Sequence, residues 1–251
     1  MTDTTPVVAP DQSGPQPNSR PQISHTHRDI NSGWLRPAVF GAMDGVISNT
    51  ALVAGVAGAQ TSVHDVILSG FAGLLAGSFS MAVGEWTSVQ SQDQLVQAEI
   101  EKERAELERA PHAEEAELAA MFRHRGLSRE LSVRVARELS KDPDEAWRTH
   151  VREELGVDPD DRPSPYVAGF SSLVTFAIGA VIPLLPYLIG ATSLLWSVGL
   201  GAVALLGMGA AVARFTLRST WIGALRHLAL GGAAVAVVYG VGRAIGTSVS
   251  G

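Results

Sequence analysis

Residues 80–109 read SMAVGEWTSVQSQDQLVQAEIEKERAELER. The stretch begins inside an apolar run that opens at about Val66, and it ends just before Ala110-Pro111. Between Trp86 and Arg109 there is neither Pro nor Gly to stop a helix, so one helix is expected to leave hydrocarbon near Trp86 and continue into water. Upstream, a first apolar segment from about Trp34 to Gln60 precedes it across a short polar turn, and the pair reads as a membrane hairpin. Downstream come three amphipathic stretches, at about His112–Arg125, Ser128–Ser140 with a Ser cap, and Asp144–Leu155 closed by Gly156. Asp158–Pro165 is a turn-rich linker.

Apolar segments resume at about Tyr166–Ile189, Ser193–Ala213 and Trp221–Ile245, each near the roughly 20 residues that cross about 30 Å of hydrocarbon. Pro183 and Pro186 are expected to kink or end the first of these. The expectation is an all-α polytopic membrane protein with five transmembrane helices and a cytosolic helical metal-binding insert. Its parts are a disordered cytosolic tail at 1–33, two transmembrane helices at 34–90, the insert at 91–162, and three more transmembrane helices at 163–247. The tail is rich in Pro, Ser, Thr, Gln and Asp, nearly devoid of aliphatic runs, and carries no recognisable cleavable leader.

Hydrophobic content of 46% and a mean hydropathy of +0.16 fit this picture. Charge is segregated: 19 of 25 acidic and 12 of 19 basic residues fall between Ser91 and Arg162, leaving the insert at −7. Such a module repels nucleic acid and attracts cations. Cys is absent, so thiolate chemistry is excluded and only carboxylates, imidazoles and thioethers remain as metal ligands, a set suited to iron(II) or manganese. No prosthetic group is implied, and no Gly-x4-Gly-Lys-Ser/Thr motif points to a nucleotide. Arg20, Arg28 and Arg36, the basic insert residues, and Arg214, Arg218 and Arg226 mark one side as cytosolic. The N-terminus is then inside and the C-terminus outside, with Arg243 against the rule. Seventeen Arg against two Lys, with Ala/Gly/Val-rich helices, hint at a GC-rich bacterium and hence a plasma membrane.

Asp44 lies inside the first span, where an ionised carboxylate is costly unless paired or hydrated. Met81, ten residues before Ser91, should sit at a similar depth, about 15 Å from the cytosolic surface. Glu85 follows Met81 by one turn, and Ser48 and Asn49 follow Asp44, outlining a polar track. The plainer alternative makes Asp44 a cap in a broken helix, Met81 packing, and Glu85 a marker of the water interface. In the insert, Glu99, Glu103 and Glu106 share one helix face, as do Glu114 and Glu117, and His150 and Glu154. Closed together, these faces would converge five or six oxygens and one imidazole. The competing reading is a solvated face, since Glu101-Lys102-Glu103-Arg104 alternates in sign.

Three motifs carry a resemblance: Asp44-Gly45, the run Ser80-Met81-Ala82-Val83-Gly84-Glu85-Trp86-Thr87-Ser88-Val89, and Val181-Ile182-Pro183-Leu184-Leu185-Pro186-Tyr187. Over about residues 34–247 the chain resembles the vacuolar iron transporter family, dimeric five-helix metal/proton antiporters. The resemblance implies a transport path through Asp44 and Met81. It also implies metal binding by Glu103, Glu106, Glu114, Glu117 and Glu154, above Glu99, Glu101 and Glu108. Where some relatives carry a Met pair, this chain has His150-Val151, so an imidazole can replace the thioether contribution. Partners expected are divalent metal ions, protons, the bilayer and a second copy. Gly41/Gly45 and Gly73/Gly77 suit close packing either in such a homodimer or within one chain. A membrane-anchored metal sensor or buffer would need the insert without Asp44, and a di-iron enzyme would want Glu-x-x-His motifs that the insert lacks.

Overall fold

A computed structural model describes residues 33–216 and 219–249; the polar tail up to residue 32, with Arg20 and Arg28, and Arg218 lie outside the described residues. The described residues are helical with no strand, and five helices are long and apolar enough to cross a membrane. In chain order the helices are α1 (Leu35–Gly58), α2 (Val63–Arg109), α3 (Pro111–His124), α4 (Arg129–Leu139), α5 (Pro143–His150), α6 (Pro165–Val181), α7 (Leu185–Leu188), α8 (Leu194–Phe215) and α9 (Thr220–Val249). The chain is a multi-pass membrane protein.

Local signals account for the boundaries. Ser62 caps α2 with its hydroxyl on the Asp65 N–H, and the Asp65 carboxylate returns a bond to the Ser62 N–H, a reciprocal capping box. From there α2 runs 47 residues, about 70 Å at about 1.5 Å each, until Ala110-Pro111. Ser128 and Asp142 cap α4 and α5. The stretch expected as one helix over Asp144–Leu155 is instead α5 followed by a π-helical turn, Val151–Leu155, closed by Gly156 at φ +65°.

The third span breaks where its prolines stand: α6 tightens into a 3-10 turn at Ile182–Leu184 and resumes as α7. Pro183 offers no N–H to the turn before it. The Ala180 carbonyl accepts instead the Asn49 amide of α1 at 2.5 Å, and the Pro183 carbonyl accepts the Ser197 hydroxyl of α8 at 2.6 Å. Neighbouring helices thus satisfy polar groups that hydrocarbon could not.

Helix α1 touches all four other spans. Its glycines explain the closeness: Gly41 and Gly45 lie against Ser172, Thr175, Phe176 and Ala180 of α6, and Gly55 against Val238 and Gly242 of α9. Gly73 and Gly77 of α2 face Leu52 of α1 and the Phe176 ring. All four glycines of the two small-residue spacings therefore make these close contacts inside one chain. The core between α1, α2 and α6/α7 is Val53, Val66, Leu74, Phe176, Ala180, Leu184 and Tyr187. At one end of the bundle, Trp86 meets Tyr166 edge-on at 6.2 Å between ring centroids, with Trp34 and Trp221 exposed near the same helix ends, the amphipathic girdle of a membrane interface.

Gly45→Ala should lower the melting midpoint of the detergent-solubilised chain, costing about 1–3 kcal/mol because the added methyl strikes the α6 backbone. Gly84→Ala, whose methyl meets nothing within 4 Å, should leave the midpoint unchanged or slightly raised.

Candidate functional site

Two polar constellations lie on α2, one within the spans and one beyond them. Within the spans, Asp44, Ser48, Asn49 and Leu52 of α1, Gly73, Gly77, Ser80 and Met81 of α2, and Phe176 of α6 line a cleft of about 240 Å³. Asp44 and Met81, from neighbouring helices, thus line one cleft. The Asp44 carboxylate accepts the Ser48 hydroxyl at 2.6 Å, one turn along α1. Asn49 has a divided role: its amide nitrogen holds the broken third span, while its Oδ1 is buried without a hydrogen-bond partner. Glu85, the remaining residue of the expected track, is buried but does not line this cleft. Its turn of α2 lies against Gly169 of α6, at the level of the Trp86–Tyr166 pair. The cleft thus combines a hard carboxylate with a soft thioether, and its glycines keep it from being filled by side chains.

Beyond the spans, α2 carries Glu103 and Glu106, α3 carries Glu114 and Glu117, and the α5–π segment carries His150 and Glu154. One ligand atom each of Glu103, His150 and Glu154 falls within 4.8 Å of the others. His150 Nδ1 is 3.0 Å from Glu103 Oε1 and 3.8 Å from Glu114 Oε2. Neither His150 nitrogen nor Glu103 Oε1 is aligned for a hydrogen bond, so all three atoms are buried and unsatisfied. Such a set is costly unless something else occupies it. Glu106 and Glu117 lie at the margin of the group, and both Glu117 and Glu154 are exposed.

The surrounding ion pairs sharpen this grouping. Arg137 pairs with Glu115, Arg125 with Glu153, Lys102 with Glu99, and Arg162 with Asp93. Arg104, adjacent to Glu103, turns its guanidinium over the Trp147 ring at 4.1 Å. Among the described residues, none of Glu103, Glu106, Glu114, Glu117 and Glu154 pairs with an Arg or Lys. The cations that alternate with acids around Glu103 in the sequence therefore do not pair with these five, of which Glu117 and Glu154 face solvent. Electrostatics records the crowding. Burial, then Glu154, Glu114 and Glu106, push Glu103 up to about 7 from 4.5, and burial with Glu117, Glu106 and Glu154 raises Glu114. Burial lowers His150 despite Glu154 and Glu117, so its imidazole stays neutral, with a lone pair to offer.

Comparison with known proteins agrees with this architecture. The sequence model of the VIT family matches residues 35–243. The chain belongs to the VIT family. It is 37% identical over 220 residues to a vacuolar iron transporter of Acanthamoeba castellanii, covering 84% of this chain and 78% of that one. It is 31% identical over 228 residues to vacuolar iron transporter 1 of Oryza sativa subsp. japonica, covering 89% and 90%. The VIT family match runs from the first residue of α1 into α9 and takes in everything between them. Two features of this VIT family chain escaped sequence reasoning: the π turn that presents Glu154, and the structural use of Asn49. A π turn carries no compositional mark, but the buried Asn49 in an apolar helix was itself a sign of a polar partner elsewhere.

Glu103 keeps its proton in the folded insert up to about pH 7, whereas unfolded it ionises near 4.5, so this group removes stability as pH rises across that window. Glu103→Gln should therefore slow hydrogen exchange of α5 relative to wild type in metal-free buffer at pH 8, and the difference should vanish near pH 5.

Proposed function

We propose that the chain moves a divalent metal, iron(II) or manganese(II), out of the cytosol in exchange for protons. The observation that carries this reading is the placement of Asp44 and Met81, from different helices, in one cleft inside the apolar spans. A carboxylate kept there needs a cation or a proton, and exchanging one for the other is antiport. The relatives' printed names, vacuolar iron transporters, support iron as cargo. Oxygen ligands, with a thioether in the cleft and an imidazole in the insert, accommodate manganese as well.

In this reading the insert is the capture site. Glu103, Glu106, Glu114, Glu117, Glu154 and His150 collect the ion on the cytosolic side, and Asp44 and Met81 pass it through the membrane, with Glu85 on the cytosolic approach and Asn49 Oδ1 beside the path. The positive-inside pattern of Arg36, Arg162, Arg214 and Arg226, at the helix ends shared with the insert, supports a cytosolic insert and N-terminus. Composition supports a bacterial plasma membrane. The exposure of Ser48 and Ser80 on the single chain, inside the apolar spans, supports a homodimer, in which a second copy would cover that polar cleft from lipid.

Proteoliposomes with an imposed proton gradient should take up iron(II) or manganese(II), and Asp44→Ala should reduce the rate at least tenfold. Uptake at the wild-type rate by Asp44→Ala, or no uptake by a folded wild type that still binds metal, would return the chain to the sensor or buffer class.

Metal affinity of the insert should also rise with pH from 6 to 8, since Glu103 must lose its proton to bind, and level off once it is ionised. Calorimetric titration with manganese(II) in two buffers of different ionisation enthalpy would report the released proton.

A further inference from the structure

We propose that the turn between α3 and α4, at the far end of α3 from α2, binds a phosphate group through Arg123, His124 and Arg129. These three side chains, with Ala120 and Leu127, line a hollow of about 460 Å³. All three are exposed, and among the described residues none is in an ion pair. That is unusual in this module: with 19 acidic against 12 basic residues, its other cations mostly have carboxylate or aromatic partners close by. Here two guanidiniums and an imidazole converge, and no carboxylate lines the space. Glu130, next in sequence to Arg129, is outside it, and Arg125 in the same turn is already spent on Glu153 at 2.6 Å.

The hollow is also held in shape. Gly126 takes φ +99°, its N–H bonds to the Arg123 carbonyl at 2.9 Å, and the Leu127 N–H reaches the Phe122 carbonyl at 3.2 Å. This pair of bonds closes the C-terminus of α3 and fixes its last turn, which carries Arg123 and His124. Ser128 then caps α4 on the Leu131 N–H at 3.3 Å, fixing the start of the helix at Arg129. Leu118, Ala119 and Ala136, with Phe122 and Leu139 packed on them, form the apolar seam that joins the two helices behind the turn. The backbone that carries the cations is thus already fixed, so only their side-chain rotamers need to be ordered on binding. Guanidiniums match the oxygens of a phosphate in charge and in planar, two-pronged hydrogen bonding. The group could be carried by an anionic lipid of the cytosolic leaflet or by a soluble phosphate compound; both present the same oxygens to the corner.

The test is hydrogen–deuterium exchange over residues 120–131 of the full chain in lipid nanodiscs. One arm adds inorganic phosphate to phosphatidylcholine discs at matched ionic strength; the other replaces part of the phosphatidylcholine with phosphatidylglycerol. Exchange is expected to slow severalfold in at least one arm for wild type, to be unaffected for Arg123→Gln/Arg129→Gln, and to slow partly for the charge-keeping Arg123→Lys/Arg129→Lys. Slowing with free phosphate identifies a soluble phosphate compound as a sufficient ligand, and slowing only in phosphatidylglycerol discs identifies a headgroup. No slowing in either arm overturns the proposal, as does slowing that persists in the Gln variant. Faster exchange of the Gln variant in every condition, with no effect of phosphate on wild type, would reduce the arginines to partners of the α3 C-terminal dipole and also overturn it.

Discussion

Carboxylates that no cation neutralises set the terms for the rest of this molecule. Among the described residues Asp44 stands between apolar helices with only a serine hydroxyl at hydrogen-bond distance, and Glu103, Glu114 and Glu154 stand around a histidine whose two nitrogens are unsatisfied. Neither arrangement is cheap: a charge in hydrocarbon is disfavoured by several kcal/mol, and crowded like charges raise one another's proton affinity. The surrounding structure holds them in place regardless. Glycines let α1 and α6 close on each other around Asp44-Gly45, and Arg–carboxylate pairs elsewhere in the insert engage its cations and leave the clustered acids without one.

The third span shows a related economy. A helix broken at Pro183 would leave carbonyls bare in lipid, yet Asn49 and Ser197, from α1 and α8, supply the missing donors. One consequence is that α1 serves two ends at once. Its Asn49 side chain fixes the kink with one atom and leaves the other unpartnered, while Asp44 one turn earlier lines the cleft. Architecture and the candidate path are therefore built from adjacent turns of one helix.

Much of this was legible because the physics is local. Five spans follow from apolar length, and the extension of α2 follows from the absence of any helix breaker before Ala110-Pro111. That His150 and Glu154 share a face was legible, since i, i+4 spacing places side chains on one side, but their meeting with Glu103 of α2 stood open in the sequence against a solvated face. What was not legible depends on distant partners. The Asn49–Ala180 bond joins residues 131 apart, and the switch of α5 into a π turn is decided by packing that spacing alone does not record. Sign alternation around Glu103 pointed toward a solvated face because a linear sequence does not reveal that Arg104 swings away onto Trp147.

The unbroken course of α2 also has a mechanical meaning. Met81 and Glu106 stand on one continuous rod, 25 residues apart, which is about 38 Å at about 1.5 Å per residue. With no hinge residue between them after Gly84, a tilt of about 5° at the membrane end displaces the far end by about 3 Å, enough to open or close a ligand sphere. In the proposed transport cycle the rod would act as a lever arm, carrying any rocking of the spans, amplified, to the acidic cluster.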